Sequence, residues 1–152
     1  MPATASTGLH ARQRWMAALA KAPPEELQAA WEKLGDPPSY RFLRPPETGL
    51  VMVRGRAGGT GSPFNLGEMT ITRCTIQTAD GATGCAFVAG RSARHAEMAA
   101  LFDALLQDPQ RQASILQTVI APLVQGWQRK KTREKEKAAL TRVQFFTLVR
   151  GE

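Results

Sequence analysis

The run from Arg54 to Cys74 constrains this chain most. It holds five glycines, three arginines and one glutamate, and it leaves one apolar strand-like stretch to enter another. Glycine reaches backbone angles barred to other residues and lets a second backbone come close, so the run predicts a loop of demanding shape. Arginines near its two ends give it a preference for anions. A phosphate-binding P-loop is excluded, because that loop needs Lys-Ser or Lys-Thr and then a helix, whereas Gly67-Glu68 leads into a strand. The dinucleotide pattern also fails: Gly59 and Gly61 fit, but Phe64 holds the third glycine position. What remains is a tight inter-strand loop in which Gly58, Gly59, Gly61, Gly67 and Glu68 are structural, with Pro63 and Phe64 anchoring it against the core.

The elements around this loop follow from periodicity and punctuation. Met1 to Leu9 reads as a short flexible leader, and residues 10–152 as one domain. His10 to Ala22 predicts a helix with Trp15, Leu19 and Ala22 on one face. A second helix carries Leu27, Ala30, Trp31 and Leu34 at helical spacing, Glu25 and Glu26 in its first turn, and a stop at Gly35-Asp36-Pro37-Pro38. Tyr40 to Arg44 is a short extended piece, interrupted by Pro45-Pro46. Gly49 to Arg56 follows as a strand whose Leu50-Val51-Met52-Val53 centre, apolar on both faces, predicts cover on both sides. Met69–Thr78 and Thr83–Ala89 form a hairpin about Ala79-Asp80-Gly81-Ala82, with Asp-Gly supplying positive φ angles.

Ser92 is the expected N-cap of a third helix, with Met98, Leu101, Phe102 and Leu105 in one stripe packed on the sheet. Leu116, Val119, Ile120 and Leu123 continue as a helical stripe in which Pro122 either kinks the helix or starts a new one. A charged helical arm of mixed sign follows, and Val143 to Val149 closes the chain as a strand-like segment. The fold class is therefore α+β: a small antiparallel sheet with a central β-hairpin, packed against helices, with helical arms and a C-terminal strand for subunit contacts.

The net charge of +7 points to anionic partners. The arginines are dispersed along the chain, which argues against nucleic acid and leaves phosphate-bearing small molecules or an acidic protein. No apolar run is long enough to span a membrane, and the start lacks the pattern of a secretory signal, so the expected location is cytoplasmic. Cys74 and Cys85 both fall in strands. Reduced, core-packed thiols are the better reading than a cross-hairpin disulfide, and no His/Cys spacing suggests a metal.

Three residues stand out as candidate ligand or partner contacts. Arg73 shares a strand face with Met69 and Ile71, and partial burial there would demand an anion: Glu47, Glu68, Glu97 or a ligand. Arg91 opens the third helix. His95 lies in its first turn, where the dipole favours a neutral ring, and Glu97, two residues on, cannot share its face. Packing against the core accounts for His95 without a ligand. Trp15 and Trp31 are explained by core or interface packing. No triad, carboxylate pair or metal site assembles, so no catalytic residue is assigned.

These residues, taken in order, resemble one family. Arg12-Gln13-Arg14-Trp15-Met16, Glu47-Thr48-Gly49-Leu50-Val51, Gly58-Gly59-Thr60-Gly61, Pro63 to Glu68 and Thr72-Arg73-Cys74 all take part. So do Gly90-Arg91, His95-Ala96-Glu97, Asp103-Ala104-Leu105, Ile120 to Leu123 and Phe145 to Gly151. Across nearly its whole length the chain is similar to the G subunit of bacterial carbon–phosphorus lyase. Ser92 departs from the aspartate frequent in that family, and both are good N-caps. The resemblance implies a cytoplasmic subunit acting with the I, H and J subunits, and with L in the transferase step. That step replaces the adenine of ATP with methylphosphonate to give α-D-ribose 1-methylphosphonate 5-triphosphate. It implies no cofactor on this subunit, ATP being a substrate of the complex, and it assigns the chemistry to other subunits. Trp15, Trp31, Phe145 and Phe146 become candidate interface anchors, and Arg73, Arg91 and His95 candidate contacts to the ATP/phosphonate pocket.

Overall fold

A computed structural model describes residues 3–141, with side-chain surroundings from Gly8 onward. The order is α1 (Ala3–Lys21), α2 (Pro24–Glu32), β1 (Tyr40–Arg56), β2 (Pro63–Thr78), β3 (Thr83–Ala89), α3 (Ala93–Leu105), α4 (Pro109–Ile115), a π-helical turn (Leu116–Ile120) and α5 (Ala121–Leu140). The strands form one antiparallel sheet in the order β1-β2-β3, packed against helices as the sequence predicts. The helix expected from His10 starts at Ala3. The expected C-terminal strand, with Phe145 and Phe146, lies outside the described residues.

The core is built on α3. Ser92 caps it, accepting from the His95 backbone N–H at 3.2 Å, and every residue from His95 to Leu105 except Glu97 is buried. Alanines at 96, 99, 100 and 104 let the helix lie close to the sheet. The approach is tightest at Gly84, where a Cβ would stand 1.9 Å from the Ala100 carbonyl oxygen. Only a residue without a side chain fits there. Trp15 and Leu19 of α1 and Leu27 of α2 close the core from the other side, on the faces their spacing predicts.

The hairpin is present with β2 ending at Thr78 and β3 spanning Thr83–Ala89 as predicted, but β2 starts at Pro63 rather than Met69 and the turn is of another type. Gly81 alone has a positive φ, of 92°, and its N–H donates to the Thr78 carbonyl at 2.9 Å. Asp80 stays in ordinary backbone space, and its carboxylate accepts from the Thr78 hydroxyl. Register pairs Cys74 with Ala86 and Thr75 with Cys85. The two cysteines therefore point to opposite faces, and both thiols are free.

Two expectations about β1 are corrected. Pro45-Pro46 does not interrupt β1, which runs unbroken from Tyr40 to Arg56. It lies at the sheet edge, and register shifts on both sides of Arg44 absorb the missing N–H groups, as edge strands permit. The Leu50–Val53 centre is not covered on both sides: Leu50 is 64% exposed and Met52 54%. β3 pairs only with Ile71 to Gln77 of β2, so the outer half of β1 and β2 continues past the body as a two-stranded ribbon.

Pro122 both starts a helix and sits in a continuous one. The Ala121 N–H donates to the Leu116 carbonyl, five residues back. The widened turn admits a proline ring that would otherwise press on a carbonyl of the preceding turn. From Trp127 onward every residue of α5 is exposed, giving an arm of about 20 Å at 1.5 Å per residue.

Candidate functional site

Three clusters gather the polar chemistry of the described residues. The first is Asp103, fully buried on α3. Arg12 grips it with Nε at 3.2 Å and Nη2 at 2.7 Å, Trp15 Nε1 donates at 2.9 Å, and the Cys85 backbone N–H donates at 3.0 Å. Four donors on one carboxylate satisfy a buried charge as it must be satisfied. The same contact raises the Arg12 pKa, chiefly through its hydrogen bonds to Asp103. The cluster ties α1, α3 and β3 together. Its signal is present in the sequence: Arg12 and Trp15 lie three residues apart on one helical face, and Asp103 is a lone charge within an apolar stripe. A charge in such a stripe requires a cation from elsewhere in the chain.

The second cluster joins α2, β1 and α3. The Tyr40 hydroxyl donates to one oxygen of Glu97, and Arg94 pairs with the other at 3.0 Å while reaching Gln28 at 2.9 Å. Burial, then the hydrogen bond and charge of Glu97, push the Tyr40 phenol up to about 12. Burial, then the same charge, push the Cys74 thiol up to about 11. Neither group is a base or nucleophile near neutral pH.

The third lies on the sheet face turned away from the helices. Arg73 pairs with Glu47 at 3.0 Å, its cross-strand neighbour. Phe87, Ile71 and Val51 complete a shallow depression of about 220 Å³ around the pair. Arg73 does share its face with Met69 and Ile71, but that face is open, and the arginine side chain is 43% exposed.

The remaining predicted residues scatter. His95 is buried, and its Nε2 donates to the Leu19 carbonyl at 2.9 Å, which places a proton on Nε2 and fastens α3 to α1. Arg91 is exposed at the entrance to α3. Arg73, Arg91 and His95 thus have different surroundings. Gly58 and Gly59, with φ of 59° and 80°, make the ribbon tip, and Arg56 braces it by donating to the Gly61 carbonyl at 3.1 Å. Gly67 and Glu68 are strand residues opposite Val53 and Met52. Pro63 and Phe64 do not anchor the loop to the core; both are exposed. Trp15 is buried on Asp103, and Trp31 stacks edge-on against Phe102 with ring centroids 6.0 Å apart. Their surfaces are largely used inside the chain. A third tryptophan, Trp127, stands exposed at the root of the arm between Lys21 and Lys131.

Among the described residues, no group of three His, Cys, Asp or Glu side chains could hold a metal ion. No helix among them is long and apolar enough to cross a membrane.

A family model described as "Phosphonate metabolism protein PhnG" matches residues 10–151. The chain belongs to the PhnG family. The alpha-D-ribose 1-methylphosphonate 5-triphosphate synthase subunit PhnG of Rhizobium meliloti (strain 1021) is 44% identical over 147 residues, covering 95% of this chain and 92% of that relative. PhnG membership places the chain in phosphonate metabolism. The matched span takes in the Asp103 cluster, the ribbon and the arm alike, so all three belong to the PhnG segment of the sequence.

Proposed function

We propose that this chain is an accessory subunit of the carbon–phosphorus lyase system. In this reading it is required with the I, H and L subunits when the ribose triphosphate of ATP is transferred to methylphosphonate and adenine is released, and it associates with the I, H and J subunits in the cytoplasm. Its role is to hold neighbours in place. The observation that carries this is a division within the molecule. The polar groups of the interior are bound to one another, while the ribbon and the arm present apolar and charged side chains outward. Asp103 and Glu97 have both carboxylate oxygens bound to partners inside the chain, and His95 gives its Nε2 proton to the Leu19 carbonyl. A general acid or base must instead reach a substrate proton.

A second reading has Arg73, Arg91 or His95 completing the ATP/phosphonate pocket. Arg73 favours it most, since its guanidinium is half-exposed and its Glu47 partner is a surface carboxylate that a phosphate could displace. The test is adenine release from ATP and methylphosphonate by the I, H and L subunits with and without this chain. The accessory reading expects release only when the chain is present, and full release without it overturns that role. Arg73→Ala then separates the two readings: assembly with normal turnover supports the accessory role, and assembly without turnover supports the pocket.

A further inference from the structure

The ribbon, residues 49–69, has the surface of an element built to be enclosed. Leu50, Val51, Met52, Phe64, Leu66 and Met69 are all exposed. Val51 and Met69 are cross-strand partners and share the face of Arg73, so strand alternation puts Leu50 and Met52 on the opposite face. Apolar side chains therefore cover both faces, and β3 stops short of both strands. A two-stranded hairpin alone is marginal in water, and buried apolar area is worth about 25 cal/mol per Å². A cleft that wraps both faces recovers more of that area than a flat patch meeting one.

Charge identifies the kind of cleft. β1 carries Arg41, Arg44, Arg54 and Arg56 against Glu47 alone, and Glu47 is already paired with Arg73. Between Arg54 and Gly67 there is no acidic residue. A second copy would bring a net charge of +7 and the same arginine-bearing strand to the contact, which like charge disfavours. We propose that the ribbon inserts into an apolar cleft of a different protein, whose rim bears carboxylates facing Arg54 and Arg56. The proposal rests on the accessory-subunit reading and names the chemistry of the partner surface.

The test co-expresses the full chain with the I, H and J subunits and recovers the complex through a tag on I. Retention of Leu50→Asp/Met52→Asp is expected to fall at least tenfold, as for central apolar contacts. Arg54→Glu, a surface change that leaves the fold alone, is expected to lose about fivefold at low salt and less at high salt. Retention of both variants at the wild-type level overturns the cleft while leaving the accessory role standing. Failure of the wild-type chain to be retained overturns both. A wild-type dimer in sedimentation that Leu50→Asp/Met52→Asp splits assigns the ribbon to a second copy and overturns the proposal.

Discussion

The two halves of β2 are one strand with two fates. From Thr72 to Thr78 every second residue is buried; from Pro63 to Met69 every residue is exposed. Apolar residues occur in both: Cys74 and Ile76 in one half, Phe64, Leu66 and Met69 in the other. What separates them is α3, which lies under the first half and not under the second. The boundary is marked by Thr72, whose hydroxyl donates to the Gly90 carbonyl at 2.7 Å and meets the Thr48 hydroxyl at 3.0 Å. Hydrophobicity in a strand thus shows that something covers it, and only packing shows whether the cover comes from the same chain.

Glycine gives the sharpest way to break this comparison. Gly84→Ala drives a Cβ into the Ala100 carbonyl and should cost at least about 3 kcal/mol or prevent folding. Gly49→Ala in the ribbon meets nothing within 4 Å and should change stability by less than about 0.5 kcal/mol. Urea unfolding of both variants decides it. Equal effects would mean that α3 does not press on β3, or that the ribbon is packed.

The next effect is centred on Asp103. Arg12→Met removes two of its four donors and leaves a buried carboxylate short of its counter-charge, at a cost of about 3 kcal/mol in the same assay. Leu50→Asp/Met52→Asp in the isolated chain should cost less than about 1 kcal/mol, because both side chains already face water. A ribbon variant that destabilises as much as the Arg12 variant would show that the ribbon folds back on the body.

The smallest effect is in alkali. Tyr40 and Cys74 are raised to about 12 and about 11 from ordinary values of 10.0 and 9.0. A raised pKa means that the fold keeps the proton where the unfolded chain releases it. The stability from these groups is therefore complete below about pH 9 and is lost as pH rises through 9 to 12. The urea midpoint should fall across that window, and Tyr40→Phe should remove the part above pH 10. A midpoint flat from pH 8 to 12 would mean that both groups are solvated.

Much of the body was legible in the sequence. Trp15, Leu19 and Leu27 lie on the faces their spacing predicts, Ser92 caps α3, and the β2–β3 hairpin turns between Thr78 and Thr83 as predicted. Each of these depends on local periodicity or a local hydrogen bond. The misses share a different cause. Pro45-Pro46 was expected to break a strand and does not, because tolerance of proline depends on lying at an edge. Leu50 to Val53 was expected to be covered, because a run apolar on both faces gives no hint of where its cover comes from. The candidate site was less legible: Arg73 found one of its three possible carboxylates, while the pairing of Arg12 with Asp103 spans 91 residues and left only an uncompensated charge as its trace.

By itself, then, the sequence determined the helices of the body, the β2–β3 hairpin, the cap of α3, the glycine-rich turn between β1 and β2 and membership of the family. All of these follow from short-range spacing or from residue identity along the chain. Tertiary structure alone decided that Gly84 is where helix meets sheet, that Asp103 is the buried centre holding α1, α3 and β3, and that half of an apolar strand stands bare. Those outcomes depend on which distant surfaces meet, and burial and charge pairing act through space rather than along the chain.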